Sequence, residues 1–269
     1  MLKLKSNIPI AVIISSVIFF SCNQSTSNTA DVKTDSSTAI ATTDSSAEPV
    51  YNPSLDPAIV GASFTKKLAD SLGITILEAT MRPGDSFPMH SHPDHAFYLM
   101  DTSTALLWVP GTEKPYTLND GVPDTGWVMG PFNDAGKNIG KSVTRWVEID
   151  IHRPRGIELP GLPAYDSSID AFTHPDKSVR KIADSLGIKL FIVTMKPGDS
   201  AELHSHPDHA VYVLEGGKLA VSFQNGPRQI MELKKGMGII GGPFGDAAKN
   251  IGKSTVKLLI THIYRPRNK

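Results

Sequence analysis

The chain is 269 residues long, which is enough for one large domain or for two ordinary domains that each bury a core. Lys and Arg together number 27, as do Asp and Glu, so no net positive charge would attract nucleic acid or anionic lipid. The 22 glycines and 20 prolines, with short apolar runs between turn signals, predict an all-β fold.

The first 22 residues have the pattern of an export signal. Lys3 and Lys5 form a positive segment, and residues 8–20 form an apolar run too short to span a bilayer as a stable helix. Ser21 then stands directly before Cys22, the only cysteine, and this ending resembles the lipobox of bacterial lipoproteins. The resemblance implies lipidation of Cys22 and a place in the cell envelope, anchored to a periplasm-facing membrane or to the outer membrane. The alternative is a soluble secreted protein with an incidental cysteine.

Residues 23–50 are rich in small polar side chains, mainly Ser, Thr, Asn, Asp and Ala. Such a composition cannot bury enough apolar surface to fold. We therefore predict a disordered, Ser/Thr-rich tether that holds the folded part away from the membrane.

The second half of the chain restates the first half. Residues 81–86 match residues 195–200 at an offset of 114, and residues 130–132 match residues 242–244 at an offset of 112. A repeat this long indicates a duplicated domain, because the units of solenoid proteins are about 20 to 50 residues long. We predict an N-terminal domain at residues 51–153, a linker at 154–177 and a C-terminal domain at 178–269.

Each half contains the same series of short strands, separated by turns such as Arg82–Asp85 and Asn225–Pro227. Leu68–Gly73 is open between a helical turn and a strand followed by a turn. The predicted strands are residues 74–81, 90–92, 96–100, 105–109 and 143–151 in the first half, and 188–195, 204–206, 210–214, 219–223 and 255–263 in the second.

The heptapeptide His-Ser-His-Pro-Asp-His-Ala occurs twice, at residues 90–96 and 204–210. Side chains alternate between the two faces of a strand, so the first two histidines of each copy point the same way. The Pro-Asp step then bends the chain before a third imidazole, His95 or His209. Neutral imidazoles suit zinc, copper, iron and nickel, so the pattern predicts a metal site in each half.

The residues around the heptapeptides resemble the motifs of the cupin superfamily, whose members are small jelly-roll β-barrels with a metal in the barrel mouth. In the first cupin motif five residues separate a Gly from His-x-His, as they separate Gly84 from His90 and Gly198 from His204, and Gly216 stands where its last Gly is expected. The second motif ends in Asn, which Asn138 and Asn250 match. The resemblance implies two tandem cupin domains, a bicupin.

Two ligand positions of these motifs carry exchanged residue types. The first motif has Glu near His95 and His209, and the second has His at Asp134 and Asp246. The exchange preserves three imidazoles and one carboxylate, a set for a divalent transition metal such as Fe, Mn, Zn, Ni or Cu. The alternatives are hydrogen-bonded histidines in a barrel without metal, and aspartates that close Asx turns. The predicted ligands are His90, His92, His95 and Asp134 in one barrel, and His204, His206, His209 and Asp246 in the other.

The walls of the two barrels are expected to differ. Phe97 and Leu99 should share the face of His95, whereas the equivalents in the second half are Val211 and Val213. All three tryptophans also lie in the first half. These residues predict a smaller or more aromatic first pocket, although barrel core is the commoner place for a strand aromatic.

The sequence predicts an exported, lipid-anchored bicupin that binds a divalent metal in each barrel and a small organic molecule, and it leaves open whether the protein is a metal-dependent enzyme resembling a dioxygenase. The alternative function is a periplasmic lipoprotein that binds a metal or small molecule without turnover. No catalytic acid or base is common to both halves, because the counterpart of Glu202 is Pro88. We expect a monomer or a homodimer without a nucleic-acid partner, and we expect ordinary structural roles for His152, His174 and His262.

Overall fold

The computed structural model describes residues 50–155 and 165–267, which belong to one compact unit from Ser46 to Lys269. The described residues lie mostly in strands, and this confirms the all-β prediction. Among them, no helix is long and apolar enough to cross a membrane. The predicted signal peptide, Cys22 and almost the whole tether lie outside the described residues. The predicted domain bounds stay a prediction.

The first barrel consists of two antiparallel sheets that follow a 3-10 turn at Pro53–Leu55 and a one-turn helix, α1, at Pro57–Val60. The five-stranded sheet has the order β1-β2-β9-β4-β7, and the four-stranded sheet has the order β3-β8-β5-β6. The strands are β1 (Thr65–Ser71), β2 (Ile74–Met81), β3 (Ser86–His92), β4 (Asp94–Leu99), β5 (Ser103–Trp108), β6 (Tyr116–Gly121), β7 (Thr125–Met129), β8 (Phe132–Asn138) and β9 (Thr144–Ile151).

The second barrel repeats this topology after a 3-10 turn at Ser167–Ile169. Its sheets have the orders β10-β11-β18-β13-β16 and β12-β17-β14-β15, so each strand has its counterpart nine strands earlier. The strands are β10 (Val179–Ser185), β11 (Ile188–Met195), β12 (Ser200–His206), β13 (Asp208–Glu215), β14 (Gly217–Phe223), β15 (Arg228–Leu233), β16 (Gly238–Gly241), β17 (Phe244–Asn250) and β18 (Val256–Ile263).

The segment Leu68–Gly73, which the sequence leaves open, is the end of β1 and a two-residue turn into β2. Leu72 and Gly73 both have positive φ, 55° and 68°, as a type I′ hairpin requires. Leu186 and Gly187 repeat the turn with φ of 54° and 70°. A leucine in the left-handed region is uncommon, and this explains why the sequence gives no clear turn signal.

The five-stranded sheets of the two barrels pack against each other. One cluster of buried apolar side chains contains Ile76, Tyr98 and Ile149 from the first barrel and Leu190 and Tyr212 from the second. Because successive residues of a strand face opposite sides, the neighbouring residues of these strands face the barrel interiors. Both faces of the central strands of each five-stranded sheet are therefore mostly buried.

The backbones of the edge strands approach the opposite barrel closely at two equivalent glycines. A Cβ on Gly126 of β7 would lie 2.9 Å from Leu190 Cδ2 of the second barrel. A Cβ on Gly238 of β16 would lie 2.7 Å from Leu68 Cβ of the first barrel. Only glycine fits such an approach, so the interface is built into both halves of the sequence.

Crossed ion pairs link the barrels beside the apolar interface. Arg265 of the second barrel donates from Nη1 to Asp94 Oδ2 of the first at 2.6 Å, and Arg153 of the first donates to Asp208 Oδ2 of the second at 2.9 Å. Burial alone would raise the pKa of Asp94, but its arginine partners lower it. The aspartate of each heptapeptide is therefore an interface residue.

Replacing Arg265 with Met should destabilise the protein strongly, because Arg265 is fully buried and Asp94 would keep only the 44% exposed Arg155 as an arginine partner. We expect the free energy of unfolding to fall by about 3–5 kcal/mol, the usual cost of breaking a buried pair. Urea denaturation measures this change. Arg267→Met is the matched control, because Arg267 is 44% exposed and its partner Asp208 keeps Arg153. Its cost should be about 0–1 kcal/mol, and equal losses in the two variants would contradict the prediction.

Candidate metal centres

The structure brings the predicted ligands of the first barrel together at one end of the barrel. His90 and His92 lie on β3, and Asp134 lies opposite His90 on the paired strand β8. Asp134 Oδ1 is 3.2 Å from His90 Nε2 and 3.4 Å from His92 Nε2. His95, at the start of β4, places its ring centroid 4.8 Å from that of His92. All four residues are buried.

The second barrel holds an equivalent cluster. Asp246 on β17 lies opposite His204 on β12, and its Oδ1 is 3.7 Å from His204 Nε2 and 3.2 Å from His206 Nε2. The ring centroid of His209 is 5.0 Å from that of His206. In each barrel three of the predicted ligands offer atoms within 4.8 Å of one another, and the rings of His95 and His209 pack beside these triads. The triads are His90, His92 and Asp134 in the first barrel and His204, His206 and Asp246 in the second.

Backbone carbonyls fix the tautomer of four of the six histidines. The Nδ1 atoms of His90, His95, His204 and His209 each lie 2.7–2.9 Å from the carbonyl oxygen two residues earlier. A carbonyl only accepts hydrogen bonds, so Nδ1 carries the hydrogen and Nε2 keeps its lone pair. This hydrogen bond is the usual partner of a metal-binding histidine.

The central histidine of each cluster bonds to a side chain instead. His92 Nδ1 hydrogen bonds to Glu148 of β9, and His206 Nδ1 is 2.8 Å from His262 Nε2 of β18. Burial would lower the pKa of His92, but Glu148 and Asp134 raise it well above its ordinary value. Burial lowers the pKa of His206 to about 4. The two centres therefore have different electrostatic surroundings.

The residues next to the proposed ligands differ between the two barrels at two positions of equivalent strands. Asp150 pairs with His95 across β9 and β4, and His262 takes the equivalent position beside His209. Burial and neighbouring Glu148 raise the pKa of Asp150 well above its ordinary value. Neither carboxylate oxygen of Asp150 has a hydrogen-bond partner among the described residues. The first centre is thus rich in buried carboxyl groups.

In the second barrel, His262 begins a chain of polar contacts. Its Nδ1 is 3.1 Å from the hydroxyl of Tyr264, which donates to Asp170 Oδ2 at 2.7 Å. Asp170 is completely buried and also accepts from Tyr165. The expectation of an ordinary structural role for His262 missed its contact with His206. A signal exists in the sequence, since Glu148 and His262 are ionisable residues in strands that also carry apolar residues of the core.

The asparagines that match the second cupin motif do not join the clusters. Asn138 donates from Nδ2 to the carbonyls of Met81 and Ser142, and its Oδ1 accepts from the backbone N–H of Gly140. Asn250 makes the equivalent three bonds in the second barrel. These residues close the loops after β8 and β17.

The donor sets fit a divalent transition metal. Two atoms that each lie about 2.1 Å from one metal are about 3.0–3.5 Å apart, as His90 and His92 Nε2 are from Asp134 Oδ1. An Nε2 lone pair and a carboxylate oxygen at this distance repel unless a cation lies between them. A proton or a metal ion meets this need, and three imidazoles with one carboxylate favour a metal.

Comparison with solved structures supports the fold. A 7S globulin from Momordica charantia superposes with a TM-score of 0.51 at 10% identity, covering 76% of this chain and 83% of that one. A cupin 2 conserved barrel domain protein from Leptotrichia buccalis has a TM-score of 0.43 at 13% identity, covering 74% and 88%. An oxalate decarboxylase from Lactobacillus farciminis has a TM-score of 0.49 at 14% identity, covering 79% and 81%.

No protein-family model matches the chain, and no curated protein matches it. The structural likenesses therefore show the fold alone, without an activity. That fold is an all-β barrel of two antiparallel sheets, present in two tandem copies, and it is similar to the fold of the 7S globulin.

In the metal-free protein at pH 7, His95 and His209 should be neutral and should carry their hydrogen on Nδ1. Burial lowers the pKa of each to about 4, and a carbonyl accepts from each Nδ1. Long-range 1H–15N correlation spectra of the 15N-histidine-labelled protein report the tautomer. A hydrogen on Nε2 in either residue would contradict the proposed ligand geometry.

Proposed function

We propose that this chain is an exported, two-barrel metalloprotein that binds a divalent transition metal ion in each barrel and, beside it, a small organic molecule. The observation that carries the proposal is the approach of imidazole Nε2 atoms to one aspartate oxygen in each barrel, at 3.2–3.7 Å. Because carbonyls hold the hydrogen of His90 and His204 on Nδ1, their Nε2 lone pairs and the carboxylate need a shared cation.

The protein residues define what such a centre can do. A bound metal would supply Lewis acidity or redox chemistry at positions that four protein ligands leave open, and a dioxygenase-like reaction is one use of them. Glu148 holds the ring of His92, and His262 holds the ring of His206, so that Nε2 points into each site. Seven of the eight proposed ligands are buried and His204 is half-buried, so the ligand atoms are largely shielded from bulk water.

Binding without turnover is the second candidate function. The ring of Phe87 packs 4.3 Å from the ring of His90, which leaves little room for a substrate above the first centre. A covered metal is typical of a structural or storage site. Oxygen uptake by the metal-loaded protein with candidate substrates separates this function from catalysis.

We also propose that Cys22 anchors the protein to the cell envelope through lipid. The basic segment, the apolar run and the single cysteine after Ser21 support this proposal, together with the polar residues that follow.

Metal analysis tests the proposed function. Untagged protein should carry up to two equivalents of a transition metal. Inductively coupled plasma mass spectrometry measures this content. The double variant His204→Ala/Asp246→Ala should lose one equivalent, and the further changes His90→Ala and Asp134→Ala should remove the second. Asp184→Ala is the control, because Asp184 is an exposed carboxylate outside both clusters, and it should keep the wild-type content. A folded wild-type protein that binds no metal would refute the proposal.

Replacement of Cys22 by Ser should release the protein from the membrane, because the serine cannot form the thioether that carries the lipid. Partition of cell extracts between detergent and water measures the change, with wild-type protein in the detergent phase. Ser21→Ala preserves a small residue before the cysteine and should leave the partition unchanged. A C22S variant that stays in the detergent phase would overturn the lipid anchor.

A further inference from the structure

The mouth of the second barrel contains a cavity that reaches its metal centre. The cavity has a volume of about 250 Å³, and its lining includes His204 and His206. The side chain of His204 is 22% exposed, whereas that of its counterpart His90 is 7% exposed. The second centre is therefore more open than the first.

Aromatic side chains occupy the equivalent space in the first barrel. At the offset of 114, Ala201 and Ser178 line the cavity where the first barrel has Phe87 and Phe64. The rings of Phe87 and Phe64 are 5.2 Å apart, and the Phe87 ring packs against His90. These rings fill the space that is a cavity in the second barrel.

The backbone of the first barrel is adapted to this filling. A Cβ on Gly61 would lie 2.1 Å from Cζ of Phe87, so no larger residue fits there with Phe87 in place. The equivalent of Gly61 is Pro175, which lines the cavity of the second barrel. The covered centre is thus a feature of the first barrel's sequence rather than of one side-chain rotamer.

The second mouth also carries ionisable groups that the first lacks. His174, Asp176 and Glu202 line the cavity, and their counterparts are Val60, Ala62 and Pro88. The described residues that line the cavity include no Lys or Arg. Two carboxylates with no lysine or arginine in the same lining repel an anion and favour a cation.

We propose that the second barrel alone admits a small-molecule ligand to its metal, and that this ligand carries a positively charged amino group. This inference rests on the proposed metal centres. Glu202 is the main determinant of ligand charge, because it lies next to the proposed metal ligand His204. The backbone carbonyl of Glu202 accepts a hydrogen bond from His204 Nδ1, and this bond holds the two residues together. A cavity of this size takes a molecule smaller than most drug-sized ligands.

Two imidazole compounds test the proposal, because they share a metal-binding ring and differ in the charge of the side chain. Histamine carries an ammonium group, and imidazole-4-acetate carries a carboxylate. The protein is loaded with Co²⁺, whose visible spectrum changes when a new ligand enters its coordination sphere. His90→Ala/Asp134→Ala leaves only the second centre, and His204→Ala/Asp246→Ala leaves only the first.

Histamine should change the spectrum of the variant that keeps the second centre and should leave the other unchanged. It should bind at least about tenfold more tightly than imidazole-4-acetate, the scale of one charge-assisted hydrogen bond. Glu202→Gln should reduce this preference to about threefold or less. Equal affinities, or a preference for imidazole-4-acetate, would overturn the inference about charge.

Exchange of the mouth residues tests the assignment of the open barrel. Ala201→Phe in the variant that keeps the second centre should abolish the histamine response while Co²⁺ stays bound. Phe87→Ala in the variant that keeps the first centre should create a response, a gain that misfolding cannot produce. Ile230→Phe, at an exposed site on β15, is the control for added bulk. A response from the unmodified first centre would overturn the assignment.

The metal content of each variant is measured before the titrations. Absence of Co²⁺ from all variants would refute the metal centres themselves, whereas bound Co²⁺ without the expected responses would refute only the inference about the mouth.

Discussion

The packing of the two five-stranded sheets against each other determines which way β4 and β13 face, the strands that carry His95 and His209. Ala96 and Tyr98 of β4 lie in the cluster between the barrels, so His95 and Phe97 must face the interior of the first barrel. A shift of one residue would move apolar side chains of β4 into the histidine cluster and His95 into the interface. The orientation of His95 and His209 is therefore stabilised by an apolar surface on the opposite side of the same strands.

This constraint explains why the heptapeptide is identical in the two halves although the walls around it differ. Its histidines face a cluster, and its aspartate, Asp94 or Asp208, holds an arginine of the other barrel. Arg153 Nη1 also donates to the carbonyl of Arg265, so the two crossed pairs meet. Within each heptapeptide, a change to the histidines would disturb the aspartate, and a change to the aspartate would disturb the histidines, because they are neighbours in the chain.

The sequence predicts the local parts of this architecture well. The period-two pattern locates the strands, and the short spacing within the heptapeptide locates three imidazoles on two consecutive strands of the chain. Glu148 and His262 could not be placed in this way, because each lies 56 residues from the histidine that it contacts. Their positions depend on which strands pair and in which register, and a single sequence leaves both open. The positive φ of Leu72 was equally hidden, since leucine carries no turn signal.

The two barrels place carboxyl groups on opposite sides of the same ligand set. In the first barrel, Glu148 and Asp150 lie behind the histidines and are buried, where negative charge increases the electron donation of a ligand to a metal. In the second barrel, neutral residues take these positions, Ile260 and His262, and carboxylates line the open mouth instead. Charge behind the ligands acts on the metal, whereas charge in the mouth acts on whatever approaches it. A duplicated barrel that separates these effects can hold one metal tightly and leave the other accessible, with the same three imidazoles and one carboxylate in each.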